Sequence, residues 1–276
     1  MQKQLLLATA LAFSLAGRAQ TDSTAKTGNS QSDTIHVGNM VIVRSGKYND
    51  ENIVVHTRHH SNYKPSNINT NWLILDLGFE NYNDKTNYAS AETQSFAPGS
   101  TGDWFKLRTG KSVDVNIWLF MQRLNVVKHV VNLKYGLGIE LNNFRYTSPV
   151  LFSENPVTLV TYDNTRHYSK NKLAADYVTV PLMLNFNFTP SRRNGFGISA
   201  GASAGYLYSS RQKIITSENG KQKLHKDFDL DPWKLSWVGE IQLGPIKLYG
   251  SYATKSMFKK GLNQIPYTVG IRLSNW

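Results

Sequence analysis

Along this chain, apolar and polar residues alternate one by one in eight separate stretches. The clearest runs from His129 to Asn143, where Val131, Leu133, Tyr135, Leu137, Ile139 and Leu141 alternate with Asn132, Lys134, Gly136, Gly138, Glu140 and Asn142. A period of two puts successive side chains on opposite faces of a β-strand, one apolar and one polar. Residues 72–80, 112–122, 176–188, 195–208, 233–243, 246–253 and 265–275 carry the same pattern. Within 112–122 the apolar set is Val113, Val115, Ile117, Leu119 and Met121, opposite Asp114, Asn116, Trp118 and Phe120. Pro181 interrupts 176–188 and has no N–H to give a ladder, which predicts a local irregularity there.

The connections between these stretches sort into two lengths. Residues 123–128, 189–194 and 244–245 are short; residues 81–111, 144–175, 209–232 and 254–264 are longer, and the two kinds alternate strictly. A soluble β-sandwich would also alternate along its strands but has no reason to sort its turns this way. The pattern predicts an all-β fold: an eight-stranded antiparallel up-and-down transmembrane β-barrel, with short periplasmic turns, long extracellular loops and both termini periplasmic. The final stretch closes on Trp276, in register with Arg272 and Ser274, and Trp276 is expected to act as an assembly signal read during insertion.

The other end of the chain agrees with export. Lys3 precedes an apolar run from Leu5 to Ala16, followed by Gly17, Arg18, Ala19 and Gln20. That is the form of a signal peptide over residues 1–19, and the run is shorter than the roughly 20 residues a spanning helix needs. Residues 20–69 form the expected periplasmic leader. Its Ser/Thr/Asn/Gln-rich start reads as a linker, and Ile35 to Arg44 could pair with Ile53 to Val55 as a small hairpin. The barrel is expected over residues 70–276. There is no cysteine, which rules out disulfides and thiolate chemistry.

The chain holds 31 Lys and Arg against 19 Asp and Glu; without Lys3 and Arg18 the balance is 29 to 19, or +10. In an exported chain with dispersed basic residues, such a balance points to solvated loops, to anionic lipid and to lipopolysaccharide phosphates, and away from nucleic acid. The 14 Tyr, 12 Phe and 6 Trp suit interfacial girdles. On the polar face of the strands, Asp76, Asp114, Glu140 and Glu240 are expected to meet Lys134, Lys234, Lys247 and Arg272 inside the barrel. Side chains fill the interior of an eight-stranded barrel, so such pairing argues against an open pore.

Motifs with chemical overtones are weak. Gly201-Ala-Ser203-Ala-Gly205 has the spacing of a hydrolase elbow, but that mechanism needs a sharp strand-to-helix turn, and alternation continues on both sides here. His56, His59 and His60 have helical ligand spacing in a segment that reads as strand and loop. His167 and His225 fall in long connections, the latter near Asp227, Asp229 and Asp231, a run that could touch Ca²⁺ but lacks a calcium loop's Gly and closing Glu. No enzyme, metal or cofactor is expected.

The segment Asp176-Tyr-Val-Thr-Val-Pro181-Leu-Met-Leu-Asn-Phe, followed by Gly197-Ile-Ser-Ala-Gly201-Ala-Ser-Ala-Gly205-Tyr-Leu-Tyr, resembles the PorT-type outer-membrane β-barrel family. The upstream Asp33-Thr-Ile-His-Val-Gly-Asn-Met-Val-Ile-Val-Arg is similar to leaders in such proteins. The resemblance covers about residues 70–276 and implies an integral outer-membrane protein; the founding member's association with a secretion apparatus is not carried over. The expected function is a non-enzymatic envelope structural, assembly or interaction protein. The alternatives are a narrow porin-like channel or small-ligand binder, and a lipid-modifying enzyme. Expected partners are outer-membrane lipid and lipopolysaccharide, the barrel-assembly machinery during insertion, and an envelope protein.

Overall fold

The computed structural model describes residues 32–37, 40–45, 53–57, 65–154, 157–192 and 195–274. Residues 1–19, expected to be a signal peptide, and Trp276 lie outside them. The chain divides into two compact units, residues 1–61 and 62–276.

In the first unit β1 (Ser32–Val37), β2 (Met40–Ser45) and β3 (Ile53–Thr57) pair antiparallel in that order. The expected pairing with residues 53–55 is present, made by β2 alone (Ile42↔Val55, Arg44↔Ile53), and β1 adds a third strand to it. Ile35 to Arg44 spans two strands, paired in register Val37↔Met40.

The second unit is all-β apart from short helical turns. Its elements are β4 (Ile68–Asp84), α1 (Ala91–Phe96), β5 (Val113–Val127), β6 (Val131–Arg145), β7 (Val150–Glu154), β8 (Thr158–Tyr162), β9 (Tyr168–Asn187), β10 (Phe196–Thr216), β11 (Gly220–His225), β12 (Trp233–Leu243), β13 (Ile246–Ala253) and β14 (Gln264–Leu273). Eight strands pair antiparallel in a ring: β4, β5, β6, β9, β10, β12, β13 and β14, with β14 returning to β4. β7 and β8 form a separate hairpin, and β11 borders the far part of β10.

One end of the ring carries the tight turns. Lys128 and His129, at φ 45° and 58°, link β5 to β6, and the N–H of Val130 donates to the carbonyl of Val127. Two positive φ values in a row are the primed turn whose twist suits a hairpin. Gly244 at φ 64° turns β12 into β13. The long connections gather at the other end. These are the turn end and the loop end below.

Strand alternation becomes an outside and an inside. On β9, Val178, Val180 and Leu182 are 45, 50 and 55% exposed, while Thr179, Met183 and Asn185, of the opposite parity, are 1–3% exposed. Apolar outside and polar inside inverts the arrangement that water imposes on a protein.

One expectation along the strands changes. A bulge between Trp118 and Phe120 on β5 shifts the register, so Met121 turns inward, fully buried with Ile74, Trp118 and Met183. At Pro181 the expected irregularity takes the form of a gap without a register shift: the pairing to β10 is continuous there (Ser203↔Pro181), while the β6 side of the ladder skips between Tyr135↔Leu182 and Gly138↔Thr179. The missing proline N–H opens that gap.

Candidate functional site

The inward side chains of β6 read out the whole interior: Lys134 toward the turn end, then Glu140 and Asn142, then Phe144. They fall in three layers, with Glu140 and Asn142 together in the second.

The first layer is an ion-pair chain. Lys134 Nζ lies 2.6 Å from Glu240 Oε1. Arg272 bonds the other Glu240 oxygen through Nη1 and grips Asp76 with Nε and Nη2, both at 2.7 Å. Trp118 Nε1 donates to Asp76 at 2.7 Å. The Arg272 guanidinium stands 5.6 Å from the Trp118 ring centroid and 5.8 Å from that of Tyr249. All four ionic residues are 5% exposed or less. A planar fork with five donors is the group that can satisfy two buried carboxylates at once. Lys247 completes the layer by donating to the Ser274 hydroxyl.

The second layer joins Lys234 Nζ to Glu140 Oε2 at 3.0 Å and to Asn142 Oδ1 at 2.7 Å. Asp114 accepts from Tyr249 OH at 2.6 Å and from Asn116 Nδ2 at 2.7 Å. Tyr249 reaches across because Gly78 and Gly270 face each other on β4 and β14; a Cβ on Gly78 would sit 2.5 Å from the Tyr249 hydroxyl. Between the layers, a cavity of about 20 Å³ remains beside Asp76, Asp114, Trp118, Glu140 and Arg272, room for a single water.

The third layer is an aromatic plug at the loop end. Each of the four long connections contributes: Phe96 and Phe105 from the first, Val150, Phe152 and Val160 from the second, Phe228 and Leu230 from the third, Met257, Phe258 and Leu262 from the fourth. Phe152 is its hub, with ring centroids 6.0 Å from each of Tyr146, Phe228 and Phe258. Phe228 is fully buried in a left-handed backbone conformation, φ 55°. Packing must hold a bulky residue in that state.

Thus the structure places Asp76, Lys134, Glu240 and Arg272 in one network, Glu140 and Asp114 in the layer above, and Lys247 at the edge of the first. Trp118 and Tyr249 complete these bonds, though strand alternation alone does not single them out; Glu80 is likewise buried on the inner face of β4. The plug carries no period-two signal and is spread over four connections, so its members cannot be grouped from sequence.

The other candidate motifs take the following positions. Ser203 sits in mid-strand on β10, and a Cβ on Gly201 would lie 2.1 Å from the Leu182 carbonyl oxygen, so the glycine serves close strand packing. The Asp227, Asp229 and Asp231 run is matched by lysines from the β13–β14 connection: Asp231–Lys255 at 2.5 Å, Asp227–Lys259 at 3.2 Å and Asp229–Lys260 at 3.5 Å. Among the described residues no group of three or more His, Asp or Glu is placed to hold a metal; His59 and His60 lie outside them. In the β8–β9 connection, Asp163 accepts from the Thr165 hydroxyl at 2.5 Å, from Tyr168 OH at 2.6 Å and from Arg166 Nε at 2.6 Å. The Thr165 and Tyr168 hydroxyls, with Arg166, hold its carboxyl well below the usual carboxylate range.

A family model described as outer membrane protein beta-barrel domain matches residues 75–254, more than half of the chain. None of the curated proteins compared with the chain matches it. The chain belongs to this β-barrel family, which makes it an integral outer-membrane protein.

Proposed function

We propose that this member of the outer membrane protein beta-barrel domain family is a closed barrel that anchors or assists an envelope assembly, acting through its outer surfaces and leader rather than by passing solutes. The filled lumen carries this reading: two charged layers and an aromatic plug occupy the axis along which solute would pass. Eight-stranded barrels have an interior that side chains can fill, and here residues from every strand of the ring and every long connection do so.

In the proposed orientation the short turns and both chain ends are periplasmic and the long loops face outward, the arrangement of outer-membrane barrels with an even number of strands. Two aromatic belts support a spanning wall. Phe188–Phe196 and Trp72–Phe120 pairs lie near the turn end, Tyr206–Trp233 and Tyr252–Tyr267 pairs toward the loop end. From Phe196 to Tyr206, at about 3.3 Å per residue and a tilt near 40°, the rise is about 25 Å, the height of an outer-membrane apolar band. PorT-type kinship, a non-enzymatic role, and contact with membrane lipid and an envelope partner belong to the same proposal.

Planar-bilayer recording tests it. Purified, inserted protein is expected to stay electrically silent, and so is a variant stripped of the plug residues Phe152, Phe228 and Phe258 (each to Ala), because the charged layers still fill the axis below. Steady unitary conductance from the unaltered chain would overturn the closed-anchor reading in favour of a narrow channel.

A further inference from the structure

Beyond the loop-end aromatic belt, the barrel wall does not stop. β9 and β10 continue past Tyr206 and Tyr208 as a ribbon, with β11 on the far edge of β10 and the end of β6 on the far edge of β9. The register of these four strands sets Arg145 opposite Lys172, Lys172 opposite Lys213, and Lys213 opposite Lys223. Directly opposed residues in antiparallel strands share a face, so one cross-strand row holds four cations. The next row out is Lys170, Ile215 and Lys221.

Like charges placed directly opposite each other destabilise a sheet, and this sheet gathers them. Among the described residues none of these six cations has a carboxylate partner; the nearest pair is Arg211–Asp176, one row further in. Lys172 reaches only the Asn143 amide, and Arg145 Nη2 a backbone carbonyl, that of Ser169, at 2.9 Å. Lys221 and Lys223 are exposed.

The face they occupy identifies the ligand. Lys170 and Lys172 share their strand parity with Val178 and Val180, which face outward and are 45 and 50% exposed. On β10 the bulge between Leu207 and Ser209 keeps the pairing aligned, so Lys213 lies on the same flank as Tyr206. The cations therefore point sideways from the wall just above the aromatic belt, where the head groups of a surrounding leaflet stand, rather than upward from a loop tip. We propose that this flank binds the clustered phosphates of a surface-leaflet lipid, a phosphorylated, acylated saccharide whose chains lie along the apolar wall below. This inference rests on the membrane orientation proposed above.

The probe is a bis-phosphorylated acyl-disaccharide in phosphatidylethanolamine vesicles, with the full chain inserted. In the unaltered protein, amine-directed acetylation of Lys172, Lys213, Lys221 and Lys223 is expected to fall when the phosphorylated lipid is present, while Lys106 and Lys259 label as before. Equal labelling with and without that lipid overturns the proposal. Binding of the same lipid, read by native mass spectrometry, is expected to drop on the order of a hundredfold in K172Q/K213Q/K223Q, from about fivefold per lysine near an anionic surface. The variant K106Q/K128Q/K259Q, with the same charge loss elsewhere, should bind unchanged. Equal losses in both triple variants, or a soluble polyphosphate that protects the lysines as well as the lipid does, also overturn it. Failure to insert into any vesicle defeats the membrane reading as well; insertion without protection defeats this inference alone.

Discussion

Removing Arg272 should expose how the barrel's interior is held. Arg272→Met keeps most of the side chain's length and deletes three charge-assisted contacts, two at 2.7 Å to Asp76 and one to Glu240. Asp76 is fully buried and would keep only the Trp118 N–H; Glu240 would keep Lys134. Breaking a buried pair by removing one partner costs about 3–5 kcal/mol, because a charge stays behind without compensation. Asp76→Leu alone leaves the buried guanidinium with Glu240, a carboxylate it must then share with Lys134, so the layer keeps one uncompensated cation and should lose a similar amount. The double variant strands neither, since Glu240 remains paired with Lys134. Replacing both members of a buried pair with apolar groups is often neutral, so the double should lose about 0–2 kcal/mol rather than the roughly 6–10 that independent sites would give. Urea unfolding of the inserted barrel, followed by Trp fluorescence, measures all four states provided the slope with urea stays constant. Losses that simply add would refute the network: Arg272 and Asp76 would then act separately, and the lumen would be a set of solvated charges.

Two further outcomes concern the loop end. Phe152→Ala removes the plug's hub and should cost about 3–5 kcal/mol, with faster amide exchange across α1, β7 and β8 but not in mid-barrel; uniform loosening of the ring would count against a discrete plug. Asp163 has its carboxyl held below the ordinary value of 3.8, so its contribution is fully present above about pH 4 and is lost as pH falls further through its folded value. Amide exchange over residues 158–168, corrected for intrinsic rates, should rise in that acid window, and Asp163→Asn should remove the dependence.

How much of this was legible in the sequence depends on which solvent each residue meets. Where lipid lies on one side and the lumen on the other, the pattern must alternate, and β12 and β13 run over the residues that the alternation marks, Trp233–Leu243 and Ile246–Ala253. Above the belt, water and loop core replace lipid, and the constraint lapses. The alternation therefore fades near Asp176 and Tyr208, although β9 begins at Tyr168 and β10 runs on to Thr216. Lysines there are strand residues that read as loop. Met121 fails for another reason: a single inserted residue at the Trp118–Phe120 bulge reverses the parity of the residues beyond it, and nothing in the composition of Trp118-Leu119-Phe120 announces it. The charged lumen was visible as residue types on one face, but not as partners, because partners depend on the stagger between strands. Lys134 and Glu240 are far apart in sequence, on strands that are not neighbours in the ring, and meet across the interior.

The same stagger bears on what the barrel is for. Ion pairs that cross the interior tie non-adjacent strands together, as Arg272 on β14 ties β4 to β12. Ladder hydrogen bonds join each strand only to its neighbours, so these cross-lumen ties oppose the shearing and flattening that the ladders alone would allow. A wall stiffened from within can carry features that need a fixed spacing on the outside. The four-cation row is such a feature: its members come from β6, β9, β10 and β11, and their alignment exists only while those strands hold register. A conducting barrel would spend its interior on a path for water. In this one Lys134, Glu240, Arg272 and Asp76 pair with one another across the interior, while the cation row, with no carboxylate partner among the described residues, is turned toward the surroundings.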